Sequence, residues 1–173
     1  METQKAIIER RSVRAYSSEQ IKDEELNALL TAANTAPVAG GAYKTMHLTV
    51  VQNPDILTKI REVYRSASGA KSDVLYGAST LIIVSGKRDF DETALFANVG
   101  CIIENMSLAA YDMGLGNVFS WATGTILPTQ TELVKELGIS DDFKPLAGLA
   151  VGYPAKELPK RVKMSKIETN YIR

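Results

Sequence analysis

The order of hydrophobic patterns predicts an α+β, three-layer arrangement: two helices, strand, helix, strand, long helix, strand, short helix, strand. Three stretches carry that reading. Leu81-Ile82-Ile83-Val84 is a continuous apolar run flanked by Ser, Thr and Gly, the pattern of a central strand buried on both faces. From about Asp91 to Met113, residues such as Leu95, Val99, Ile102, Ile103, Met106 and Ala110 give one helix a wide apolar surface. A helix that apolar belongs at the centre of the fold or at a subunit interface, and Gly100 and Cys101 are small enough for close helix packing. Leu26, Leu29, Leu30 and Ala33 fall at i, i+3, i+4 and i+7, one face of a further helix. No repeat, low-complexity tract or domain boundary interrupts this order, so residues 1–173 read as one domain.

Taken in order, residues 3–11 read as a helix with arginines at its end. A second helix starts near Asp23, where acidic residues favour its N-terminus, and Pro37 closes it. Pro37 to Lys44 is a small, glycine-bearing loop, and Met46 to Val51 a strand. Asn53-Pro54 supplies an N-cap and a first-turn proline for a helix buried along Ile56, Leu57, Ile60, Val63 and Tyr64. Ser66 to Asp73 reads as a loop. Gly114 caps the long helix, and Asn117 to Trp121 is a strand leading into Ala122-Thr123-Gly124-Thr125, a turn rich in backbone N–H groups. Pro128 to Leu137 is a short helix, Leu146 to Val151 the last strand, and Ile167 to Arg173 an extended tail suited to strand exchange.

The totals exclude several chemistries. Lys plus Arg number 20 and Asp plus Glu number 20, so no broadly basic surface for nucleic acid is expected. No apolar run reads as long enough to span a bilayer, and the polar N-terminus is unlike a signal peptide. One Cys and one His exclude an intramolecular disulfide and an N/S zinc site. Single-cysteine usage fits a reducing cytoplasm. There is no nucleophile elbow or Walker loop, and Cys101 reads as core. No catalytic side chain and no metal ligand set emerge, which leaves chemistry that a bound cofactor performs.

Arg10-Arg11-Ser12-Val13-Arg14 places three guanidinium groups and a hydroxyl within five residues. Guanidinium forks match phosphate or carboxylate oxygens, so one reading is an anion clamp. The other is a helix end whose negative pole the arginines complement. On the stretch alone the two stand about even.

Four features in this order resemble the nitroreductase-like family of FMN flavoproteins. They are Arg10-Arg11-Ser12-Val13-Arg14 after a short helix, Ala36-Pro37-Val38-Ala39-Gly40 before the first strand, the long helix ending Gly114-Leu115-Gly116 with a strand and Trp121-Ala122-Thr123-Gly124 after it, and Val151-Gly152-Tyr153-Pro154 followed by Arg161 and Lys163. The resemblance implies a three-layer α/β/α fold around a mixed, mostly antiparallel sheet. It also implies a cytoplasmic homodimer with an exchanged C-terminal segment and two FMN sites in its interface. Arg10, Arg11, Ser12 and Arg14 would hold the phosphate, ribityl chain and pyrimidine edge, and Arg161 and Lys163 would close on the phosphate. Pro37, Val38, Ala39 and Gly41 of the other subunit would cover the ring. Ala122, Thr123 and Gly124 would lie along the isoalloxazine, with a backbone N–H reaching N5. The implied activity is hydride transfer from NADH or NADPH through flavin N5 to a nitro compound, quinone or similar small acceptor, with no nucleic acid or membrane partner.

The chain departs from the family pattern in one loop. Members commonly carry Asn two residues after the small Ala, then Gln-Pro-Trp; here Gly41 is followed by Tyr43-Lys44-Thr45. Tyr43 is either a stacking surface of the pocket or a half-exposed loop tyrosine. The departure keeps a second function open, a flavin-binding protein that stores, senses or processes flavin. A third is an anion-binding domain without flavin.

Overall fold

The computed structural model describes residues 3–69, 73–158 and 166–173. Four strands, β1 (Met46–Val51), β2 (Thr80–Lys87), β3 (Gly116–Ser120) and β4 (Phe143–Gly152), form one sheet in the order β1-β2-β4-β3. Among the described residues all three strand pairs are antiparallel, and the parallel component is a single bridge between Ser12 and Asn117. Helices α2 (Asp23–Asn34) and α4 (Glu92–Asp112) cover one face; α3 (Pro54–Ser68) and α6 (Thr131–Glu136) cover the other. β2 divides the layers by alternation: Ile82 and Val84 enter the α2/α4 core, while Leu81 and Ile83 enter the α3/α6 core. Burial on both faces is what its unbroken apolar run predicts.

Local signals set most boundaries. Asn53 Oδ1 accepts from the Asp55 and Ile56 amides at 2.9 and 3.1 Å, capping α3. Asp91 Oδ1 accepts from Ala94 N at 2.7 Å at the start of α4. Gly114, at φ +78°, turns the chain out of α4 in a conformation that costs glycine nothing.

Three expectations need correction. Helix α1 (Thr3–Glu9) ends before its arginines, because Val13 N donates to Asn117 O at 2.8 Å and draws the following residues into extended pairing. Helix α3 continues through Ser68, so the loop expected from Ser66 starts later. Finally, α4 does have the length and apolar composition of a membrane span. Its stripe of Leu95, Val99, Ile102, Ile103 and Met106 is instead spent on the protein core between α2 and the sheet.

Candidate functional site

The Arg10–Arg14 stretch meets the edge strand β3 at Ser12 and Val13. Ser12 bridges Asn117 in the parallel sense, and Val13 packs so closely that a Cβ on Gly116 would stand 2.9 Å from its Cγ1. The glycine after the long helix is thus a docking notch for Val13 as well as part of a turn. Tyr16 fixes the far end of the stretch, its buried hydroxyl donating to Val13 O at 3.0 Å. Burial pushes the Tyr16 hydroxyl pKa far up, so it stays a neutral donor. The bridge is a single one: after Val13 the chain leaves β3, with Arg14 over the Tyr76 ring and Ser17 N donating to Tyr153 O beyond the end of β4.

Arg10 Nε lies 3.0 Å from Glu104 Oε1 on α4, an ion pair that does not meet hydrogen-bond geometry and leaves Nε buried without a hydrogen-bonded acceptor. Two turns along α4, the Tyr111 hydroxyl donates to Glu9 Oε2 at 2.6 Å, which raises its pKa. Two α4 side chains therefore hold the end of α1 and the first arginine. Arg14 lies over the Tyr76 ring, 5.9 Å from its centroid.

At the other end of β3, Ala122–Thr125 forms a four-residue helix, α5, where the sequence suggested a turn. It sits directly on β4: a Cβ on Gly124 would lie 1.8 Å from Leu146 O. Thr123 is fully buried, with its hydroxyl accepting from Tyr64 Oη at 3.1 Å and donating to Ser120 Oγ at 3.0 Å. Its side chain faces the interior, so only its backbone is available to a ligand. Trp121, 57% exposed, stacks near Phe119 (6.1 Å) and Phe96 (6.0 Å), an aromatic patch beside α5.

The Pro37–Gly41 loop is held elsewhere. Val38 is buried in the α2/α4 core, and Ala39 N donates to Asn98 Oδ1 on α4 at 2.9 Å. Pro37, Ala39 and Gly41 are exposed, and Gly40 and Gly41 adopt φ of +61° and +67°. Among the described residues no hydrogen bond or ion pair joins this loop to Arg10–Arg14 or to α5. Within one chain, then, the arginines and the α5 turn share a strand, and the loop stands apart. Tyr43 donates to Ala36 O at 3.0 Å and is 47% exposed while lining a cavity of about 370 Å³ with Leu30, His47 and Ile102. Its exposure is that of the half-exposed loop tyrosine. Arg161 and Lys163 lie outside the described residues. Among the described residues no cluster of His, Cys, Asp or Glu is suited to a metal ion.

Asn98, Glu104, Tyr64, Ser120 and Gly148 escaped sequence reasoning as site-building residues. Asn98 and Glu104 did leave a signal, as polar interruptions of an apolar helix. Tyr64 was legible as buried, and a buried tyrosine hydroxyl needs a partner; the partner's identity was not legible.

The edge strand β3 thus has a cationic stretch beside its start and a close-packed small-residue turn at its end. The chain belongs to the nitroreductase family, whose profile matches residues 7–153. It is 31% identical over 159 residues to a putative NADH dehydrogenase/NAD(P)H nitroreductase of Archaeoglobus fulgidus, covering 88% of this chain and 86% of that protein. It is 26% identical to an FMN reductase [NAD(P)H] of Bacillus subtilis, covering 96% of this chain and 72% of that one. Among solved structures it resembles a nitroreductase with bound FMN from Bacteroides fragilis, with a TM-score of 0.86, 32% identity and coverage of 99% and 98% of the two chains. The class expected from the sequence, an FMN-dependent NAD(P)H oxidoreductase with the nitroreductase fold, is the class these relatives are named for.

Proposed function

We propose that the chain is an FMN-dependent oxidoreductase that takes reducing equivalents from NADH or NADPH and passes them to a nitro compound, quinone or similar small acceptor. The observation that carries this is the docking of Ser12 and Val13 on Asn117, which sets the arginines beside the start of the strand whose other end runs into the α5 turn. Bound FMN supplies the redox chemistry, hydride acceptance and donation at N5. The chain supplies binding and position. Arg10, held by Glu104 through its Nε at 3.0 Å, and Arg11 meet the phosphate, with Arg161 and Lys163 as further cations. Ser12 and Arg14 serve the ribityl chain and pyrimidine edge. The backbone of Ala122, Thr123 and Gly124 faces the ring, and Phe96, Phe119 and Trp121 keep water from that side.

The Pro37–Gly41 loop completes the site from a second subunit. That assignment is supported by its separation from the arginines within one chain. It is supported also by the exposed α4 row of Phe96, Ala97 and Gly100, where a Cβ on Gly100 would meet nothing within 4 Å. β1 pairs on one side only among the described strands, and Ile167, Tyr171 and Ile172 are exposed, as an exchange of C-terminal segments between subunits requires. A single free cysteine, partly buried, suits a reducing cytoplasm.

Arg10→Ala tests the clamp. Loss of a charge-assisted contact should raise the Kd for FMN about tenfold or more, read by quenching of flavin fluorescence. An unchanged Kd would remove Arg10 from the phosphate site. Gly41 in place of the family's Asn favours one second reading, a protein that holds flavin without turning over NAD(P)H. A yellow protein that oxidises neither NADH nor NADPH with any nitroarene or quinone would select it.

A further inference from the structure

We infer that Tyr64, on the face of the sheet opposite α2 and α4, is a positioning residue for the redox centre, acting through a buried hydroxyl chain that sets the height of α5. This rests on the reading above, in which the α5 backbone lies along the flavin ring. A four-residue helix has too few internal hydrogen bonds to hold its own place. Its position must be imposed from below, and three features impose it. Gly124 rests against the β4 backbone, where any side chain would strike Leu146 O. Gly148 of β4, paired in register with Ser120, leaves the space that Thr123 fills: a Cβ there would stand 2.7 Å from Thr123 Oγ1. Tyr64 Oη then donates to Thr123 Oγ1 (3.1 Å), and Thr123 Oγ1 donates to Ser120 Oγ (3.0 Å).

All three hydroxyl-bearing residues are buried: Tyr64 and Thr123 fully, Ser120 nearly so. The chain ties α3, α5 and the end of β3 through one atom, Thr123 Oγ1. In a buried setting a hydrogen bond is directional and costly to leave unmade, so the three hydroxyls fix both the tilt and the depth of α5. Tyr64 is fully buried and reaches no surface of its own chain. Its influence is on where the α5 backbone N–H groups stand, and a misplacement of a fraction of an ångström there is expected to slow the chemical step.

The test uses the FMN-loaded protein, with Tyr64→Phe, Thr123→Val and the double variant, in anaerobic stopped-flow reduction by NADH. The expected result is a fall of about tenfold in the limiting rate of flavin reduction for each single variant, with the apparent KM for NADH little changed. Because the two hydroxyls act as a unit, the double variant should be no slower than Thr123→Val. Amide exchange at Ala122 to Thr125 should quicken in parallel. A purely structural tyrosine would lower the melting temperature and leave the limiting rate of the loaded enzyme alone; that result overturns the inference while the flavin reading stands. Wild-type protein that takes up no FMN overturns both. Should Tyr64→Phe fail to fold, Thr123→Val alone decides, through the same split between limiting rate and KM.

Discussion

Gly124 has no room for even one methyl group. Gly124→Ala would drive a Cβ into Leu146 O, a backbone atom that cannot rotate away. The expected cost is about 1–3 kcal/mol in urea unfolding, with loss of flavin retention as α5 lifts. Gly41 is the opposite case. Its φ of +67° needs glycine or a residue that tolerates the left-handed region, and the space beside it is open. Asn is such a residue. Gly41→Asn should therefore cost under about 1 kcal/mol, and Gly41→Val clearly more. The backbone at Gly41 is thus one that an Asn side chain can occupy. Tyr153 makes a pH prediction. Its hydroxyl donates to Glu25 Oε2 at 2.7 Å, and that bond to a carboxylate, ahead of burial, pushes its pKa from 10.0 up to about 12. A raised pKa favours the neutral form in the folded state. The bond thus contributes fully below about pH 10 and is lost as pH rises through about 12. Tyr153→Phe should lower stability throughout the neutral range, where the bond is intact, and should flatten the alkaline limb between those values. Residues such as these were half legible. Sequence alone marks Gly41 as a departure and Tyr64 as core, but it carries no sign of positive φ or of which buried hydroxyl meets which.

Helix α4 is the element on which the site depends. Its buried side fills the core, while Asn98 holds Ala39, Glu104 holds Arg10 and Tyr111 holds Glu9. Asn98→Ala would remove the acceptor for Ala39 N and free the exposed half of the loop. We expect a loss of about 1–3 kcal/mol and faster amide exchange confined to residues 38–42. A variant whose exchange there matched the wild type would show the loop to be held by Val38 alone. Elements with strong periodicity or caps were legible: β2 from its apolar run, α3 from Asn53-Pro54, α4 from its stripe and Gly114. Those decided by tertiary contact were not. α1 stops at Glu9 because Val13 bonds across to Asn117, and α5 is helical because it is pressed onto β4. No local pattern encodes either contact.

At the scale of the molecule, a glycine on the exposed row of α4 has no use within one chain. A Cβ there meets nothing, so Gly100→Ala should raise helix stability by about 0.5–1 kcal/mol if the chain acts alone. In the proposed dimer the same position faces a second subunit, and Gly100→Leu should shift the protein toward monomer in light scattering and weaken FMN binding with it. A dimer that tolerates Gly100→Leu with full FMN affinity would move the interface off this face. The family's fold was legible because its motifs occur in order along nearly the whole chain; the proposed assembly had one sequence signal, a surplus of apolar surface on one helix. The central claim is that this assembly holds a redox-active flavin between the arginines and α5. It is tested most directly by the visible spectrum of the purified protein after FMN is supplied, before and after anaerobic NADH or NADPH. A flavin absorbance that stays with the protein through gel filtration and bleaches on adding the nicotinamide is the predicted result. A colourless protein after FMN soaking would contradict the account.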